Sequence, residues 1–123
     1  MPKPNQEDDR EQRIIMEIVV DAYGPEEQAM GWFYYLADNM LFPFTATCIS
    51  QRRISPLKTG AIVEVLRMAP ESDCEREMFV EVAWNDDALA VPLIQLAAQN
   101  VDEDTQQAIE DWHYWVNQGY EFG

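Results

Sequence analysis

The sequence predicts an α+β domain: a small antiparallel SH3-like sheet or barrel of about four strands, flanked by N-terminal helices and a C-terminal helix. Three observations predict it. Apolar residues recur at helical spacing near both ends of the chain and alternate in the middle. The connections between the alternating stretches are no longer than nine residues, too short for the crossovers that parallel strands need. The chain has 123 residues and a hydrophobic fraction of 47%, enough for one domain with a real core.

Residues 1–9, from Met1 to Asp9, read as a disordered polar tail, and residues 10–123 as the single domain. Arg10 to Ala22 reads as a helix, with Ile15, Ile18, Val19 and Ala22 on one face. Its β-branched residues pull against that reading. Gly24-Pro25 is punctuation, and Pro25, Glu26 and Glu27 suit the first turn of a helix that runs to about Met40. Ala29, Phe33, Leu36 and Met40 form its stripe, flanked by Trp32 and Tyr35. Helical spacing explains those aromatics as core. Pro43 ends the helix, because the residue before proline avoids the α region. Strands follow at Phe44 to Ser50, Ala61 to Met68, Glu77 to Trp84 and Ala88 to Val91. Asn85-Asp86-Asp87 is a hairpin signal. Leu93 to Asn100 reads as a short helical turn. Asp102 then caps a last helix whose stripe is Ala108, Ile109, Trp112, Trp115 and Val116, and Gly119 stops it.

The net charge is −15 and it is uneven. Residues 1–51 carry −6, residues 52–70 carry +3 and residues 71–123 carry −12. Such a chain avoids nucleic acid, itself a polyanion, and attracts cations or basic partners. No apolar run approaches the ~20 residues of a membrane span, and the N-terminus shows no signal-peptide core, so the expected location is the cytoplasm. Cys48 and Cys74 form no CxxC pair and read as free thiols. No GxSxG, HExxH or phosphate loop is present, and the single histidine, His113, reads as structural. No enzyme is expected.

The chain turns on Asp38 to Cys48, where the aromatic helix gives way to the first strand. A helix C-terminus is the negative pole of the macrodipole and leaves carbonyls without intrahelical partners. A carboxylate there, Asp38, favours a cation. In an up-and-down sheet the start of the first strand shares an end with the loop at 69–76, which offers Glu71, Asp73 and Glu75. The hairpin at Asp86-Asp87 belongs to the other end, facing Arg52, Arg53 and Lys58, where ion pairs are expected. Calcium takes 6–8 oxygens at ~2.3–2.6 Å and tolerates loop-built geometry better than magnesium does. The candidate metal ligands are therefore Asp38, Glu71, Asp73 and Glu75, without an EF-hand loop.

The stretch Gly31-Trp32 through Leu41-Phe42-Pro43-Phe44-Thr45-Ala46-Thr47-Cys48 resembles the cyanobacterial calcium-binding protein (CcbP) family. So do Ser55-Pro56-Leu57-Lys58-Thr59-Gly60, Val91-Pro92-Leu93 with Gln95-Leu96, and Asp111-Trp112-His113-Tyr114-Trp115 with Gly119-Tyr120. The resemblance covers about Asp21 to Phe122. It implies a cytoplasmic protein that buffers or senses Ca2+, one or two ions at sites of unequal strength, and a role in heterocyst differentiation. It implies Asp38 as a ligand of the stronger site. The alternative is an acidic interaction module that binds a basic protein partner without metal. Neither reading involves a membrane or nucleic acid.

Overall fold

The structure, a computed structural model, describes residues 8–20 and 22–120. The expectation of a disordered tail over residues 1–7 lies outside these. Three helices and five strands occur among the described residues: α1 Asp8–Glu17, α2 Pro25–Asn39, β1 Phe44–Cys48, β2 Ile62–Met68, β3 Phe79–Trp84, β4 Asp87–Pro92, β5 Leu96–Gln99 and α3 Glu103–Asn117. Short 3-10 turns lie at Glu71–Cys74 and Leu93–Gln95. The α+β class is as expected. The sheet is antiparallel, with β4 and β5 as its two edges, in the order β4-β3-β2-β1-β5, and it does not close into a barrel.

Three elements differ from expectation. Asp8 and Asp9, expected in the tail, open α1 instead, placing their negative charge at the positive end of the helix. α1 stops at Glu17 rather than Ala22, as the β-branched run had argued against it. Leu96–Gln99, expected within a helical turn, is a fifth strand on the free side of β1, with Ala46 opposite Ala98 and Cys48 opposite Leu96. Pairing across about 50 positions of sequence overrides the helix preference of leucine, alanine and glutamine.

Alternation sets the inner face of the sheet. Phe44, Ala46 and Cys48 of β1, Val63 and Val65 of β2, and Val80 and Val82 of β3 are all buried. The helices bring aromatics to one another. Trp32 of α2 meets Trp112 and Trp115 of α3 at ring centroid distances of 5.1 and 5.6 Å. The chain after α1 crosses α2 so closely that a Cβ on Gly31 would lie 2.4 Å from the Ile18 carbonyl oxygen. A buried carboxylate fastens α1 down. Asp111 of α3 is 0% exposed and accepts from Arg10 at 3.0 Å, from Arg13 at 2.6 and 2.9 Å, and from the Tyr35 hydroxyl at 2.5 Å. Burial and this carboxylate both push the Tyr35 phenol upward, keeping it a donor.

Candidate metal centre

Asp38 lies exposed in the last turn of α2. The helix stops because its hydrogen-bond ladder is diverted. Met40 N–H still bonds the Leu36 carbonyl at 3.0 Å. Leu41 N–H, which a longer helix would give to Ala37, goes instead to the Thr105 hydroxyl at 2.9 Å. Pro43 has no N–H for the Asn39 carbonyl. Asp38 thus sits at a terminus whose carbonyls are released from the ladder, as the sequence argument required.

Thr105 belongs to the start of α3. Its backbone N–H is held by the Asp102 carboxylate at 3.2 Å, and its hydroxyl also donates to Asp102. These bonds to Thr105 hold the Asp102 carboxyl below the usual carboxylate range. Asp102 also lines an open cavity of about 550 Å³ with Leu41, Pro43, Thr45, Gln99 and Asn100. The sequence marked Asp102 as a cap; its place beside the end of α2 was not legible, because the contact crosses 64 positions.

The acidic loop lies against α2. Glu71, Ser72 and Glu75 line a cavity of about 350 Å³ with Glu26, Ala29 and Met30, near the start of that helix. Tyr34 donates to Glu71 at 2.9 Å, which drives the Tyr34 phenol upward. Asp73 is exposed in the 3-10 turn, its N–H on the Pro70 carbonyl at 2.9 Å. Phe44 pairs with Val65, and β2 runs on to Met68 before the loop begins, ~10 Å further at ~3.3 Å per residue. Glu71 and Glu75 are brought together with Glu26; Asp38 and Asp73 are not among the residues lining that cavity.

Among the described residues, no three His, Cys, Asp or Glu side chains converge closely enough to hold a metal ion. Their charges are nonetheless uncompensated. Asp38, Glu71, Asp73 and Glu75 make no ion pair among the described residues, whereas arginines pair with Glu110, Asp111, Glu77 and Glu81. The ion pairs expected between Asp86-Asp87 and the basic loop do not form among these residues. Arg52 holds Glu77 with two bonds of 3.0 and 2.9 Å, and Asp87 accepts from the Ala88 N–H. The donor set near α2 is all oxygen, which suits a hard cation.

The sequence model of the CcbP family, described as calcium binding, matches residues 12–116. The crystal structure of Anabaena CcbP is 45% identical and superposes with a TM-score of 0.86, over 99% of this chain and 100% of that one. A calcium binding protein solved in its calcium-binding form is 44% identical with a TM-score of 0.87, over the same shares of the two chains. No relative was found among curated proteins. No helix among the described residues is long and apolar enough to cross a membrane. By sequence and by fold, the chain belongs to the CcbP family of calcium-binding proteins.

Proposed function

We propose that this chain binds one or two calcium ions and so buffers or senses free calcium in the cytoplasm, without catalysing a reaction. Asp38 and the carbonyls at the end of α2 supply the stronger site. Glu71 and Glu75 supply ligands of a weaker one, with Glu26 beside them and Asp73 in the same turn. The carrying observation is the diversion of the Leu41 N–H to Thr105, which releases helix-end carbonyls next to Asp38, a carboxylate with no ion pair among the described residues. Carbonyl and carboxylate oxygens together are what calcium takes. A calcium ion there also relieves the repulsion among carboxylates that no arginine covers. The family resemblance supports the wider role, control of free calcium during heterocyst differentiation, with no nucleic acid or membrane involved.

Calorimetric titration of chelator-stripped protein, with millimolar magnesium present, tests this. Wild type should take up one or two ions saturably. Asp38→Asn should weaken the stronger site by about tenfold or more, ~1.4 kcal/mol, with an unchanged circular dichroism spectrum. The double variant Glu71→Gln, Glu75→Gln should affect only the weaker site. An unchanged isotherm in Asp38→Asn overturns its assignment. Absence of binding in wild type leaves the acidic surface to a basic protein partner.

A further inference from the structure

Beside α3 a cavity of about 300 Å³ is lined by Arg52, Arg76, Glu77, Trp112, Trp115, Val116 and Tyr120. Its volume suits a small ligand. Its polar groups are unbalanced. Both oxygens of Glu77 are engaged by Arg52. The Tyr120 hydroxyl donates to Glu11. Two further groups of the lining are donors without acceptors. Arg76 is exposed and makes no ion pair among the described residues. Trp115 is 7% exposed, and its indole N–H is buried with no acceptor. Arginine has no acceptor atom, so a ligand held by Arg76 must bring one.

Charge points the same way. Arg76 is the one base in residues 71–123, and the fold sets it beside Arg52 of the basic loop, whose neighbour in the chain is Arg53. On a chain of net charge −15, this places cationic groups together at one cavity. The wall is aromatic. Trp115 and Tyr120 stack at 4.6 Å with 30° between their planes, and Tyr120 remains 38% exposed. Aromatic faces take flat rings, and a guanidinium takes an oxyanion in a two-pronged bond.

We propose that this cavity binds a small molecule carrying an oxyanion on a flat ring, with Arg76 holding the oxyanion and the exposed Tyr120, backed by Trp115, carrying the ring. The oxyanion is a phosphate or a carboxylate, and the probes separate them. Adenosine monophosphate, benzoate and inorganic phosphate are titrated into the full chain, read by tryptophan fluorescence and calorimetry. The expected result is saturable binding of adenosine monophosphate, of benzoate, or of both, weakened at least about tenfold in Arg76→Gln. Adenosine monophosphate alone identifies a phosphate ligand, and benzoate alone a carboxylate. Asp38→Asn should bind the same probe as wild type does, so failure of the calcium reading leaves this test intact. No saturation by either ring-bearing probe at about 10 mM overturns the proposal. So does equal binding in Arg76→Gln, and so does inorganic phosphate binding as tightly as adenosine monophosphate, which would leave the ring no role.

Discussion

His113 shows how one side chain carries a pH dependence. A ring N–H faces the Leu93 and Leu96 carbonyls, and its Nε2 is buried without a partner. Burial outweighs those carbonyls and Glu110, holding the imidazole below its ordinary value of 6.5. The folded state therefore binds this proton less readily than the unfolded chain. Stability from the neutral ring is present above pH 6.5 and falls as pH drops through the lowered folded value. Urea denaturation at pH 7.5 and pH 5.5 should show a larger loss in wild type than in His113→Gln; equal losses would refute the assignment. The sequence identified His113 as structural but not its surroundings, since Leu93 and Leu96 lie on another element. Asp111 was less legible still. It stood in the chain as part of an aromatic motif, and its arginine partners lie 98 and 101 positions away.

At the scale of elements, the chain just after α1 passes against the middle of α2 at Gly31. Gly31 is there because the Ile18 carbonyl leaves no room for a methyl group. In an open helix, Gly→Ala stabilises by up to ~1 kcal/mol. Here the overlap with backbone, ~1–3 kcal/mol, outweighs that gain. Gly31→Ala should lower the urea midpoint at unchanged slope, and a raised midpoint would mean the Ile18 carbonyl does not pack on α2 as described. Strongly patterned elements were legible: α2, α3 and the β3–β4 hairpin lie within a few residues of the expected positions. β5 was not, because Leu96-Ala97-Ala98-Gln99 lacks alternation and becomes a strand only by pairing with β1. The contact of the acidic loop with α2 also escaped, because Tyr34 and Glu71 lie 37 positions apart.

For the whole molecule, calcium binding and folding are linked, because the unfolded chain cannot assemble the ligands. At about one hundred times the dissociation constant, calcium should stabilise the fold by ~2.7 kcal/mol. That corresponds to a rise of order 10 °C in Tm for a domain of this size, reversed by chelator. A Tm indifferent to both would contradict the linkage. The end of α2 at Asp38 was legible because proline and capping signals are local. The meeting of Glu71 and Glu75 with Glu26 at one cavity was not, because it is a property of the assembled fold.

The strand order has a consequence for synthesis. β1 emerges early but acquires its second neighbour only when Leu96–Gln99 has been made, about 50 residues later. At ~5–20 residues per second, one edge of β1 stays open on the ribosome for ~3–10 s. During that interval the nascent chain offers a pairing edge to other chains, directly downstream of the segment that carries Asp38.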